Sequence, residues 1–203
     1  MIQIFLKGGP VMWPLLFTSI VAISVVMERL FFIVRESFRR DPDAVERIFS
    51  EVEAGEDERA AAFSQESQDY VARVLAYALE HREQSPTSAL MRAASRELNR
   101  FNRGLSILDT VITLAPLLGL LGTVTGMIRA FSLLGGQELG APTAITGGIA
   151  EALIATAFGL LIAIIALIPF NFLNTKMEEA RHEIEDAASR MDALLKQEAV
   201  LAK

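Results

Sequence analysis

A few polar side chains inside or at the edge of long apolar windows are the residues of this sequence best suited to chemistry. Thr156 lies in one window, Glu151 stands five residues before it at the edge of that window, and Thr123 lies in another window. A carboxylate can exchange a proton, and a hydroxyl donates one hydrogen bond while accepting others. Because an ionisable group inside a membrane span is costly, it usually faces protein or water and marks an ion or substrate path. These three residues are therefore candidates for an ion path.

Each of these residues also has a plainer interpretation. Glu151 could reach the membrane interface or serve assembly through a buried hydrogen bond. Thr commonly bonds a carbonyl of its own helix in a membrane span, so the threonines could be purely structural. Asp109 and Arg129 stand at window boundaries, where we interpret Asp109 as interfacial and Arg129 as a snorkelling side chain.

Other kinds of chemistry find no support in the sequence. There is no cysteine, and the two histidines, His81 and His182, are far apart. The motifs H-E-x-x-H, G-x-S-x-G and G-x-x-x-x-G-K-[ST] are missing from the sequence. The net charge is -6 and no basic run is longer than Arg39-Arg40, which argues against nucleic acid. We therefore expect that the chain is not an enzyme and that it has no catalytic residue, metal site or cofactor.

Three uncharged windows must position the candidate residues. The first lies between Lys7 and Glu28, and the others cover 110–128 and 152–175, in a chain that is 52% apolar. At a rise of about 1.5 Å per residue, such windows cross most of a bilayer core of about 30 Å. No small-x-small cleavage site follows the first window, so we expect a retained membrane span rather than a signal peptide.

Arginine and lysine residues set the expected orientation. They cluster after the first window, before the second and after the third, while the connection 132–143 has none. The positive-inside rule then predicts an outer N-terminus and a cytoplasmic C-terminus. The predicted division is 1–34 (outer N-terminus and first transmembrane helix), 35–104 (cytoplasmic helical segment), 105–131 (second transmembrane helix), 132–143 (outer loop), 144–174 (third transmembrane helix) and 175–203 (cytoplasmic C-terminal helix).

The polar segments are amphipathic and helical. Breaks near Pro42, Gly55 and Pro86 predict three helices over 41–103, with Pro86 at a helix start. We find no breaker between Thr87 and Leu114 and expect that helix to run straight into the second span. Apolar residues spaced by three or four over 175–201 predict a long helix that leaves the membrane. Its apolar stripe should pack on neighbouring helices, with contacts between subunits as one possibility.

Small residues form a stripe on each of the last two spans. At about 100° per residue, the members fall within arcs of about 60° and about 80°. Such stripes let helix backbones approach closely in lipid, and a Gly-rich connection favours an antiparallel hairpin. Thr123 lies beside the first stripe, and Glu151 and Thr156 edge the second. The stripe residues are Ala115, Gly119, Gly122 and Gly126, then Gly148, Ala152, Ala155 and Gly159.

Two segments carry a resemblance to a known family. Residues 115–127 (APLLGLLGTVTGM) and 148–159 (GIAEALIATAFG) resemble the second- and third-span signatures of the ExbB/TolQ/MotA proton channel family. The chain is more similar to ExbB and TolQ than to MotA, which has an additional span. The resemblance extends over essentially the whole chain, and Thr123, Thr156 and Glu151 match the family's pore-lining positions.

The resemblance implies an all-α membrane protein that assembles as a homo-oligomeric, pentameric bundle. Its subunits would surround the single spans of two ExbD- or TolR-like chains, whose aspartate carries protons. The implied function is that of a stator in the bacterial inner membrane, which couples inward ion flow to mechanical work on a TonB- or Tol-like envelope protein. Membrane lipids are the remaining partner. A non-conducting scaffold and a sodium-coupled motor stay open as alternatives.

Overall fold

The computed structural model describes residues 2–81, 86–132 and 142–201. Every regular element in these ranges is an α-helix, which confirms the all-α class for the described part of the chain. The helices are α1 (Ile2–Lys7), α2 (Met12–Ser37), α3 (Pro42–Glu53), α4 (Asp57–Glu66), α5 (Tyr70–Glu80), α6 (Pro86–Asn102), α7 (Leu105–Ser132) and α8 (Pro142–Leu201).

Three helical stretches are long and apolar enough to cross a membrane. They are Met12–Ser37, Thr87–Ser132 and Thr146–Gln197, and their most apolar windows have mean hydropathies of 2.0, 2.0 and 2.7. The predicted multi-pass membrane protein with three spans is confirmed at this level. Most of the predicted outer loop, residues 133–141, lies outside the described residues, and so does its Gly-rich turn.

The chain divides into two compact units. One, called here the apolar unit, comprises Met1–Arg29 and Gly104–Phe172, and the other, the charged unit, comprises Leu30–Arg103 and Leu173–Lys203. Helices α2 and α8 contribute residues to both units. The candidate ion-path residues all belong to the apolar unit.

The charged unit contains one helix more than predicted. The described part of 41–103 forms four helices, because α4 ends at Glu66 and α5 starts anew at Tyr70. The side chain of Asp69 accepts a hydrogen bond from the backbone N–H of Val71 and so caps α5. Asp and Ser side chains compete with helix backbone hydrogen bonds and therefore favour helix ends. Ser67 and Asp69 provide this signal, and the prediction of three helices did not take it into account.

The expected continuous helix into the second span is also wrong. Helix α6 ends at Asn102 and α7 begins at Leu105, with Gly104 between them at a φ of 82°. This left-handed conformation suits glycine, which often ends helices in this way. A Cβ added at Gly104 would also lie 3.1 Å from Cγ1 of Val25.

The apolar stripe of the C-terminal helix packs within its own chain. Helix α8 runs for 60 residues and, as predicted, continues well beyond the third apolar window. The stripe is buried in the core of the charged unit against residues of α3 and α5. Its buried members are Ala180, Ile184, Ala187, Met191 and Leu195.

Buried ion pairs accompany this core. Arg73 donates hydrogen bonds to Glu36 and Glu97, which are only 3% and 8% exposed. Arg40 binds the fully buried Asp69 in the same way. Each of these buried carboxylates therefore has a cationic partner, as a buried charge requires.

One phenol is drawn into these polar contacts. The Tyr70 hydroxyl donates a hydrogen bond to Glu183, and Arg40 lies over the Tyr70 ring. Burial, followed by the bond to the Glu183 carboxylate, raises the pKa of Tyr70 well above its usual value.

Candidate functional site in the apolar unit

The candidate site is built on close backbone contact between α7 and α8. A Cβ added at Gly159 would lie 2.5 Å from the carbonyl oxygen of Ala115. One added at Gly119 would lie 3.0 Å from Cα of Thr156 and 3.1 Å from the carbonyl oxygen of Ala155. Because these neighbours are backbone atoms, they cannot move aside cheaply. The two helices meet where side chains are smallest.

The pairing of small residues shows that the two helices run antiparallel. Gly119 and Gly122 contact Ala155, whereas Gly126 contacts Ala152 and Gly148. Residue numbers thus rise on α7 as they fall on α8. All eight predicted stripe residues lie at this contact, whereas Gly147, next to Gly148, has no neighbour that an added Cβ would meet.

Thr156 bonds across this contact. Its Oγ1 donates to the carbonyl oxygen of Gly119 at 2.9 Å, and the residue is half-buried. This is not the own-helix bond that a structural threonine commonly makes. The Thr156 hydroxyl is therefore fixed by the neighbouring helix, at a position where glycine leaves the carbonyl accessible.

Thr123 behaves differently. Its Oγ1 donates to the carbonyl oxygen of Leu120 in the same helix, at 2.6 Å. The nearby Thr125 likewise bonds carbonyl oxygens of its own helix. Thr123 is half-buried beside the small stripe, but its hydroxyl proton is used locally, in agreement with the plainer interpretation.

Glu151 forms an ion pair that sequence reasoning missed. Its Oε1 lies 2.7 Å from Nη1 of Arg129, and the Glu151 side chain is only 20% exposed. Arg129 was interpreted as a snorkelling residue, yet a signal for the pair existed. The antiparallel register places Gly126 opposite Ala152. Arg129 lies nearly one turn further along α7, on the same face as Gly126, so its long side chain can reach Glu151.

Residues 57–186 match the model of the MotA/TolQ/ExbB proton channel family. The chain belongs to this family. The predicted resemblance to ExbB and TolQ is thereby confirmed, and the matched range includes both small-residue stripes and all three candidate ion-path residues.

Named relatives place this family member near ExbB and TolQ. It is 41% identical to the ExbB-like 1 protein of Synechocystis sp. over 182 residues, which cover 83% of this chain and 68% of the relative. It is 34% identical to the ExbB-like 3 protein of the same organism, over 80% of each chain. It is 33% identical to the Tol-Pal system protein TolQ of Haemophilus influenzae over 55% of this chain and 49% of the relative.

The start of α2 in this ExbB-family chain also borders the site. Val11, Met12 and Leu15 form a buried cluster with Ala115 and Ala155. The start of α2 thus packs on the two helices that carry the small stripes. It adds a third wall beside the candidate residues.

Asp109 is not brought to the other candidates. It is exposed in the single chain, near the start of α7, and its carbonyl oxygen accepts a bond from Thr113. Over residues 2–81, 86–132 and 142–201, the structure contains no group of three or more His, Cys, Asp or Glu side chains that could hold a metal ion.

Proposed function

We propose that this chain is the proton-conducting stator subunit of an ExbB/TolQ-type motor. Several copies, five by analogy with the family, would surround the single spans of two ExbD- or TolR-like chains. Inward proton flow would then perform mechanical work on a TonB- or Tol-like envelope protein. The motor would lie in the bacterial inner membrane, with the N-terminus periplasmic and the C-terminus cytoplasmic. Membership of the proton channel family supports this proposal.

The observation that best supports conduction is the bond of Thr156 to Gly119. Because the hydroxyl proton is committed to that carbonyl, the oxygen's lone pairs remain to accept a bond from water or a partner side chain. Glu151 lies five residues earlier on the same helix, about 7.5 Å along the axis. Thr156 would then act as an acceptor that orients a proton-bearing water or partner side chain, and Glu151 would be the group on this helix that exchanges a proton.

The outer faces of α7 and α8 leave room for partners and lipid. Leu117, Leu153 and Ile164 are each at least half exposed in the single chain. Exposed apolar side chains on membrane helices must be covered by lipid or by other helices. This surface could accommodate further copies and a single-span partner inside the membrane, as the proposal requires.

A non-conducting scaffold is the second candidate. The ion pair between Glu151 and Arg129 favours it, because a paired carboxylate can hold two helices together without carrying ions. The two functions assign different tasks to the Thr156 hydroxyl. A scaffold should tolerate replacement of Thr156 by the similarly shaped valine, whereas an ion path should not.

The test is proton-motive-force-dependent activity of Thr156→Val and Glu151→Gln, each co-expressed with the ExbD- or TolR-like chain. Assembly is checked first, and Thr125→Val is the matched control because its hydroxyl bonds its own helix. We expect both site variants to lose at least about tenfold in activity, or ~1.4 kcal/mol, while the control keeps it. Full activity of both site variants would favour the scaffold, and sodium-dependent activity would favour sodium coupling.

A further inference from the structure

The turn between α1 and α2 has a conformation that few residues adopt. Gly9 has a φ of 74°, in the left-handed region where glycine alone carries no steric penalty. The turn is closed by backbone bonds from Gly8 N–H to the Phe5 carbonyl and from Met12 N–H to the Gly9 carbonyl. Backbone conformation is therefore one reason for glycine at this position.

The side chain of Glu151 supplies a second and independent reason. A Cβ added at Gly9 would lie 1.9 Å from Oε1 of Glu151, 2.6 Å from its Cδ and 3.0 Å from its Cγ. The carboxylate thus occupies the space that any side chain at position 9 would fill. The same Oε1 accepts the hydrogen bond from Arg129 at 2.7 Å. Glu151 is therefore confined between a guanidinium group and a bare stretch of backbone.

The turn contacts α8 at a second point. A Cβ added at Gly8 would lie 3.0 Å from Cγ2 of Ile154, so both glycines lie against the same stretch of α8. Within the same segment, the rings of Phe5 and Trp13 pack edge to face with centroids 5.4 Å apart. The turn is therefore packed both against α8 and by its own aromatic side chains.

We propose that Gly9 is a positioning residue for Glu151. The bare backbone at Gly9 lets the Glu151 carboxylate lie against the turn and keeps it beside Arg129. The N-terminal turn thereby completes a site to which α7 and α8 also contribute. This inference rests on the proposed function, in which Glu151 borders the ion path.

The test variant is Gly9→Ala in the full chain, assembled with its ExbD- or TolR-like partner in liposomes. The added methyl group meets the flexible end of Glu151, so we expect the chain to fold with that carboxylate displaced. The readout is proton flux driven by an imposed potential. We expect the proton flux to fall by about tenfold.

A control variant separates positioning from general backbone damage. Gly55→Ala introduces the same backbone strain, since Gly55 has a φ of 75°, but its added Cβ would meet nothing within 4 Å. This control should keep flux within about twofold of the unmodified chain. Equal loss of flux in Gly9→Ala and Gly55→Ala would overturn the proposal.

A double variant provides a readout that mere destabilisation would not produce. If Gly9 acts through the Glu151–Arg129 pair, Gly9→Ala and Arg129→Gln disturb the same contact. The double variant should then conduct as many protons as whichever single variant has the lower flux. Arg129→Lys, which keeps the charge, should preserve most of the flux. Losses that multiply in the double variant would instead show two unrelated effects.

The contact itself can be tested without any transport measurement. Because the natural sequence contains no cysteine, the pair Gly9→Cys and Glu151→Cys can be oxidised without background thiols. We expect a rapid intramolecular disulfide, and its absence would overturn the proposed contact. A disulfide together with normal flux in Gly9→Ala would refute positioning while leaving the proposed function intact. Full flux in Glu151→Gln would instead refute the role of Glu151 in conduction.

Discussion

The two units of this chain bury their helices by opposite means. In the apolar unit, α7 and α8 meet through glycine and alanine, with backbone atoms in contact. In the charged unit, large side chains such as Ile48, Leu75 and Ile184 form the core, and carboxylates are buried with arginine partners. One contact depends on the absence of side chains, and the other depends on their size and charge.

The difference reflects what each kind of surface gains by association. Apolar helices in lipid gain little from burying more apolar area, so close approach and a few hydrogen bonds must hold them together. A helix cluster with exposed charges gains chiefly from removing apolar area from water. Substitutions that add volume should therefore damage the apolar unit, whereas substitutions that remove a charge should damage the charged unit.

The largest effect is expected from Arg73→Met in the charged unit. It would leave Glu36, which is 3% exposed, buried without its cationic partner. Breaking a buried ion pair from one side costs about 3–5 kcal/mol. Hydrogen exchange of α5 and α6 amides in the detergent-solubilised chain would report this loss locally.

The matched control for that loss is Arg59→Met. Arg59 and Glu56 form an exposed pair at 3.6 Å, which should contribute at most about 1 kcal/mol. If both arginine variants lowered the hydrogen-exchange protection of α5 and α6 amides to the same extent, the buried ion pairs would contribute no more stability than exposed ones.

A smaller effect is expected from Gly159→Ala in the apolar unit. Its methyl group would lie 2.5 Å from the Ala115 carbonyl oxygen and force the two helices apart. Overpacking of this kind costs about 1–3 kcal/mol. The thermal unfolding temperature of the purified chain in detergent should fall accordingly.

Gly147→Ala provides the control on the same helix. An added Cβ there would meet nothing within 4 Å, so a neutral or slightly stabilising effect is expected from the higher helix propensity of alanine. An unchanged unfolding temperature in Gly159→Ala would contradict the close contact of α7 with α8.

The smallest effect concerns the pH dependence of the charged unit. Burial and the bond to Glu183 raise the pKa of Tyr70, so the folded state holds the phenol proton more tightly than the unfolded state does. This contribution to stability is complete below the usual tyrosine pKa of about 10 and is lost as the pH rises above it.

Ultraviolet absorbance can follow this titration. The chain has two tyrosines, so Tyr77→Phe leaves Tyr70 as the one phenol to observe. Its phenolate signal should appear only at a pH clearly above about 10. Titration at the usual value would show that Tyr70 is not held in the buried contact described.

Sequence patterns predicted the features that depend on periodicity. The three apolar windows and both small-residue stripes follow from composition and helical geometry alone, and the structure places the stripes face to face. The break at Gly104 was missed because a single glycine within a helical pattern is an ambiguous signal. The additional start at Asp69 was missed because capping depends on local hydrogen bonds that compete with helix continuation.

Contacts between distant residues were harder to foresee. The Arg129–Glu151 pair requires the register of α7 on α8, and the contact of Gly9 with Glu151 requires the path of the N-terminal turn. Neither is encoded in the spacing of residues within one helix. Sequence reasoning therefore identified Glu151 as the residue to explain but not the groups that surround it.

Proton flux through the purified complex, reconstituted with its ExbD- or TolR-like partner in liposomes, tests the central claim most directly. The comparison is Thr156→Val against Thr125→Val, which remove hydroxyls bonded across the α7–α8 contact and within α7, respectively. We predict that Thr156→Val abolishes most of the flux while the assembled complex persists and Thr125→Val conducts normally. Normal flux in Thr156→Val would contradict an ion path bordered by Thr156.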